Sequence, residues 1–332
     1  SCMNGLSVAG MAIGATVALP ELLKRGYNKV MVTGVIQAGS SLGILIPPSV
    51  VLVLYAMIAR QPVLQLWLAG IGPGLLMATL FAIYIYIRCR LNPELGPTLP
   101  KEELERITWR ERISSLQVGL LPLVIFGTMM GLFLTGVTSL VESSAVGALL
   151  ATLAALFTKR LTKAVWETTT RNTLTITCMF LWIILAALCF SSVYDGLGAV
   201  KAIERLLLGT FDLSPWTILI LMLFSFIILG MFLDDTAMLV IVAPLYIPLV
   251  KSLGFNPIWF GILYTITCQI AYITPPFGYN LFMMRALAPK EVTLMDIYRS
   301  IVPFFFLMVL TIIILMIFPE IAMWLPNWYM GR

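Results

Sequence analysis

Two carboxylates stand side by side in an otherwise apolar run, Asp234 and Asp235 in "GMFLDDTAMLVIV". A carboxylate at the centre of a bilayer costs roughly 2.5–3.5 kcal/mol on insertion scales, so an adjacent pair points to a task. In one reading Asp234 faces a cation while Asp235 caps the helix that starts near Thr236; in the other, both only cap. Two proline pairs, Pro47-Pro48 and Pro275-Pro276, interrupt further apolar runs. Each proline removes a backbone donor and clashes with the preceding turn, at about 3 kcal/mol inside a helix. A break of this kind frees carbonyls on one side, which suit Na⁺, and amides on the other, which suit anionic groups. Small polar residues precede each break: Gly39, Ser40 and Ser41 in the first, Thr267, Cys268 and Gln269 with Thr274 in the second. A last polar turn, Asn4-Gly5-Leu6-Ser7, offers amide and hydroxyl oxygens but no carboxylate.

The candidate cation-binding residues are therefore Asn4, Gly5, Ser7, Gly39, Ser40, Ser41, Asp234, Thr236, Thr267 and Thr274. Pro47, Pro48, Asp235, Pro275 and Pro276 form the breaks or meet a substrate. Glu142 is placed as a helix N-terminal acid; Arg60 and Arg285 are candidates for meeting an anionic substrate, or, lying near predicted span ends, for snorkelling. With no histidine in the chain, His-based catalysis and His-ligated metals are excluded, and no metal other than Na⁺ is expected. The five cysteines are scattered without ligand spacing and fit small core positions. No phosphate-binding lysine loop, nucleophile elbow or dinucleotide fingerprint occurs, so neither an enzyme nor an organic cofactor is expected.

The elements that must position these residues repeat. Sliding the chain by 228 residues puts Pro20 on Pro248, Gly26-Tyr27-Asn28 on Gly254-Phe255-Asn256, and Pro47-Pro48 on Pro275-Pro276. Each copy holds a short apolar arm (8–23; 236–250), a polar turn, and a broken span (30–58; 257–285). A span needs only about 20 residues, so the surplus suits a helix–loop–helix crossing. Irregular backbone at membrane depth is tolerated where protein or a cavity surrounds it. Residues 215–233 supply the other limb of a re-entrant hairpin, 215–252, whose tip carries the Asp pair. By symmetry the first tip lies around Asn4 to Ser7, and the chain reads as the C-terminal part of something longer.

Hydrophobic residues make up 60% of the chain and charged ones 11%, with mean hydropathy +0.98, which marks a polytopic membrane protein. Further spans are expected at 66–87, 116–136, 140–157, 172–193 and 301–327. With the hairpin returning to its own side, sixteen of the 21 Lys and Arg fall on the side of the 88–115 loop, which makes that side cytoplasmic and the two repeats inverted. The net charge of +5 is thereby explained by topology, without a nucleic-acid partner. The organisation is a first repeat at 1–90, a cytoplasmic linker and amphipathic helix at 91–115, connecting spans at 116–157 and a second repeat at 158–332. The half of the linker from Lys101 is expected as a surface helix anchored by Trp109, and 195–210 as an interfacial helix on the opposite face.

Taken in order, "SVAG…LPELLKRGYNK…GSSLGILIPPSVVLVLYA…LWLAGIGPGLL" and "GMFLDDTAMLVIVAPLYIPLVKSLGFNPIWFGILYTITCQIAYITPPFGYNLF" resemble the large membrane subunit of tripartite ATP-independent periplasmic (TRAP) transporters, the DctM-like family. The resemblance covers nearly the whole chain. It implies an all-α, elevator-type, Na⁺-coupled importer of a small organic anion, a carboxylate or sulfonate, in the bacterial inner membrane. It also implies a small membrane subunit and a periplasmic substrate-binding protein as partners, with ions and substrate held at the hairpin tips and helix breaks. A symporter with similar hairpins that works without a binding protein is the alternative.

Overall fold

The computed structural model describes residues 5, 7–97, 109–198, 202, 205, 212–233, 235–276 and 278–331. Among these the regular structure is helical throughout, and six helices are long and apolar enough to cross a membrane. The protein is an all-α polytopic membrane protein. The chain forms two compact units, residues 98–182 and residues 1–97 with 183–332.

The smaller unit contains α6 (Trp109–Leu134), α7 (Leu140–Phe157) and the first part of α8 (Lys163–Gly196). α6 and α7 pack together, with Gly147 against the Met129 side chain. Ser139 and Glu142 close a capping box at the start of α7, which is the N-terminal role expected of Glu142. The surface helix expected before residue 116 is not separate at its described end. From Trp109 the chain is already in α6, and no proline interrupts it before Pro122. Residues 101–108, and most of 195–210, lie outside the described residues.

In the larger unit, the first arm is helical over Ser7–Lys24: α1 (Ser7–Ile13), a π-helical turn, and α2 (Leu19–Lys24). α3 (Lys29–Ser41) and α4 (Val50–Ala59) flank the first break, and α5 (Val63–Leu91) follows. α9 (Pro215–Gly230) and α10 (Asp235–Ser252) fold back on each other as a hairpin, joined by a hydrogen bond between Ser225 Oγ and Tyr246 OH at 2.8 Å. α11 (Pro257–Tyr272) and α12 (Tyr279–Leu287) flank the second break, and α13 (Leu294–Ile317) follows. The residues that start these helices are those sequence chemistry favours. Asn28 and Asn256 accept from the first free amides of α3 and α11, and Thr293 with Asp296 closes a capping box on α13.

The expected span 301–327 is instead two helices. α13 stops at Ile317, and α14 (Glu320–Tyr329) starts after Phe318-Pro319. Pro319 has no amide to continue the helical ladder, so the apolar run bends there although its hydropathy does not change. α14 lies against α5, where Gly72 leaves room for the Ile321 carbonyl.

Candidate functional site

Both proline pairs end a helix and start another, and both Pro–Pro bonds are cis. The arms also reach across to the other half: α1 packs on α3 and on α12, beyond the second break, and α10 packs on α4, beyond the first, as well as on α9 and α11. α3 runs from the end where Lys29 meets Asp296 at 2.8 Å. α11 starts at the other end, where the Tyr55 hydroxyl donates to the Pro257 carbonyl at 2.7 Å.

The first break is closed in on itself. After Ser41 a short 3₁₀ turn, Leu42–Ile44, leads into the prolines, and Ile44, Leu45, Pro47 and Ser49 are all buried. Ser49 accepts from the Leu52 amide, capping α4, and donates to the Ile44 carbonyl. The Trp67 indole donates to the Ser49 carbonyl at 3.3 Å. Ser40 and Ser41 donate back to Gln37 and Ala38 carbonyls at 2.8 and 2.7 Å. α5 can lie this close because Gly70 and Gly74 have no Cβ to meet Leu45 and Ile46. The first tip completes the closure: the Gly5 carbonyl accepts from the Val50 amide at 3.4 Å. A Cβ on Gly5 would stand 2.6 Å from the Pro48 carbonyl oxygen, and its φ of +65° also favours glycine.

The second break is open. Pro275 and Pro276 are exposed, and Thr274 is half-buried with its hydroxyl donated to the Ile270 carbonyl at 2.5 Å. α12 begins on Gly278 with φ +40° and without a side-chain cap. Its first amides are therefore the uncapped kind that anions seek. Beside this break, Gln269 is fully buried with neither amide atom hydrogen-bonded, and the buried Asn280 leaves its Nδ2 without an acceptor. Buried polar groups are normally paired, so these three atoms beside the second break mark unspent recognition capacity; two more, Thr33 Oγ1 and Gln37 Oε1, lie on α3 ahead of the first break. Asn280 Oδ1 accepts from Ser7 Oγ at 3.4 Å, so the first tip touches the second break as well as the first.

At the second tip, Asp235 is buried and its carboxylate accepts from its neighbour, the Thr236 amide, at 2.7 Å and from Thr236 Oγ1 at 3.3 Å. The Asp235 backbone carbonyl accepts from the Tyr264 hydroxyl at 2.8 Å, tying the tip to the middle of α11. Asp234 and Asn4 lie outside the described residues. Thr267 is buried and donates to the Leu263 carbonyl, while Gly39 is exposed on α3. A donated hydroxyl keeps its lone pairs, so Ser41, Thr267 and Thr274 remain able to accept or to meet a cation. No group of three His, Cys, Asp or Glu that could hold a metal occurs among the described residues.

Sequence reasoning did not single out Asn280 or Tyr264. Asn280 had a legible signal, a lone amide in the apolar run "FGYNLF" directly after the proline pair. Tyr264 had none, since only the folded hairpin brings it to Asp235.

A family model described as "Tripartite ATP-independent periplasmic transporter, DctM component" matches residues 1–321. The chain is 31% identical over 333 residues to the C4-dicarboxylate TRAP transporter large permease protein DctM of Pseudomonas aeruginosa, covering 99% of this chain and 75% of that protein. It is 30% identical to the ectoine TRAP transporter large permease protein TeaC of Halomonas elongata, over 98% and 76%. Identity to the sialic acid TRAP transporter permease protein SiaT of Haemophilus influenzae is 26%, over 98% and 52%.

Proposed function

The chain belongs to the DctM component family of tripartite ATP-independent periplasmic transporters, and from that membership we propose that it is the membrane permease of a Na⁺-coupled importer of a small organic anion in the bacterial inner membrane. A periplasmic binding protein delivers the anion and a small membrane subunit supports the permease. The two halves are inverted copies, and the hairpin-bearing core moves as an elevator. The contacts of each arm with the other half and the opposite starting ends of α3 and α11 support that reading.

The observation that carries the proposal is the second break. Unpartnered Gln269 and Asn280 amides stand beside an uncapped half-helix N-terminus, a chemistry suited to a carboxylate or sulfonate. Hydroxyls and freed carbonyls at the breaks, with the Asp pair at the second tip, suit Na⁺. The names of relatives that carry C4-dicarboxylates, ectoine and sialic acid support a small organic acid as cargo.

The test is uptake into proteoliposomes containing the full permease with its membrane partner, with C4-dicarboxylate as the first cargo tried. An imposed Na⁺ gradient should drive accumulation only when the binding protein is present. Equal uptake without the gradient removes the coupling. Equal uptake without the binding protein favours the stand-alone symporter.

A further inference from the structure

Basic residues crowd the end of the larger unit where α3 starts and α5 stops; four have partners, and Lys24 and Lys290 make no ion pair or hydrogen bond among the described residues. Lys29 pairs with Asp296 at 2.8 Å, Arg25 with Glu21 at 3.0 Å, Arg90 donates to the Tyr86 hydroxyl at 2.7 Å, and Arg285 donates to the Val292 carbonyl at 2.8 Å. Arg88 and Arg299 likewise make no ion pair or hydrogen bond among the described residues, but both line one pocket of about 410 Å³ between the end of α5 and the start of α13. The nearest acids along the chain pair with neither: Glu94, six residues after Arg88, lines an adjoining depression, and Asp296, three residues before Arg299, pairs with Lys29.

The pocket is graded. Arg88 and Asn28 stand near helix ends and Arg299 in the second turn of α13, while Tyr84, Val302 and the buried Phe304 lie about one turn further along the same helices. The Tyr84 and Phe304 rings meet edge to face at 5.4 Å, making a continuous apolar wall. Pro303 brings no amide to the Arg299 carbonyl one turn back, which leaves that acceptor for a hydroxyl donor. A bidentate guanidinium favours phosphate. The side of the membrane with excess basic residues is the one where anionic lipids gather around cationic helix ends.

We propose that Arg88 and Arg299 form a headgroup site for an anionic phospholipid, with the phosphate between the two arginines and the acyl chains along Tyr84, Val302 and Phe304. A free phosphate satisfies the arginines but leaves the apolar wall uncovered, so the lipid is the occupant. The site is separate from the breaks that would handle cargo.

Native mass spectrometry of the delipidated full permease with its membrane partner tests this, with phosphatidylglycerol, phosphatidylcholine of the same chains, and inorganic phosphate as probes. Phosphatidylglycerol should bind at least about tenfold more tightly than phosphatidylcholine, and R88Q/R299Q should weaken it by about thirtyfold. R25Q/R90Q removes the same charge from the same end and should change it less than about twofold. Equal affinity for the two lipids, or parent-like binding by R88Q/R299Q, overturns the site. Displacement of the lipid by inorganic phosphate assigns it to a soluble anion and overturns the lipid. Should the glutamine variant fail to fold, photo-crosslinking of the parent with a headgroup-labelled phosphatidylglycerol decides: adducts must fall within 84–95 and 299–304, and adducts only elsewhere refute the proposal.

Discussion

The two proline breaks share one spacing and differ in what surrounds them. At the first, the polar groups next to the prolines are bonded: Ser49 caps α4, Trp67 holds the Ser49 carbonyl, and Gly5 closes over Pro48, while the unpartnered Thr33 Oγ1 and Gln37 Oε1 lie further back on α3. At the second, the prolines are exposed, the following half-helix has no side-chain cap, and three amide atoms have no partner. A helix break is expensive in either place. The first offsets its cost by packing. The second keeps polar capacity in reserve, which makes sense when something outside the chain completes it. We propose that the second break is the receptive site for the organic anion, while the first is a packed joint whose remaining oxygens serve Na⁺.

That contrast can be broken by substitution. Gln269→Leu removes the unpartnered amide while keeping the side chain's bulk. It should lower uptake by roughly 10- to 150-fold, as for losing a hydrogen bond to a charged group worth about 1.5–3 kcal/mol, and leave thermal unfolding unchanged or raised. Gly70→Ala should do the reverse. Its methyl group would strike the Leu45 carbonyl, costing about 2 kcal/mol of stability in detergent unfolding, with uptake per folded molecule retained. Ser49→Ala deletes the cap on α4 and should cost about 1 kcal/mol by the same measurement. The smallest effect belongs to Lys29→Met. It breaks a part-exposed pair with Asp296 and should cost below about 1 kcal/mol, less still at high salt. If Gln269→Leu unfolds the protein or Gly70→Ala spares it, the two breaks are not divided as described.

Much of this arrangement was legible in the residues. Two proline pairs at one offset marked where α3 and α11 stop, and the short arm with its Asp pair marked the hairpin of α9 and α10. The asparagines ahead of α3 and α11 announced their starts. The reach of each arm into the other half was not legible, because long-range packing among uniformly apolar helices leaves no periodic signature. Hydropathy also hid the end of α13: Phe318-Pro319 lies in an apolar run, and only the missing proline amide betrays the turn. The difference between the breaks was hidden for a related reason. Ser41 and Gln269 are equivalent by the offset and both polar, yet one bonds back to its own helix while the other makes no hydrogen bond among the described residues.

Val51 and Tyr279 are equivalent by the same offset, each in the first turn after its break, and are 3% and 45% exposed. The decisive measurement is labelling of Val51→Cys and Tyr279→Cys, in a full permease stripped of its native cysteines, with a membrane-impermeant thiol reagent. Tyr279→Cys should react and be protected by cargo in the presence of Na⁺, while Val51→Cys stays silent. Equal labelling at both positions, or labelling of Val51→Cys alone, would contradict the division of the two breaks into joint and site.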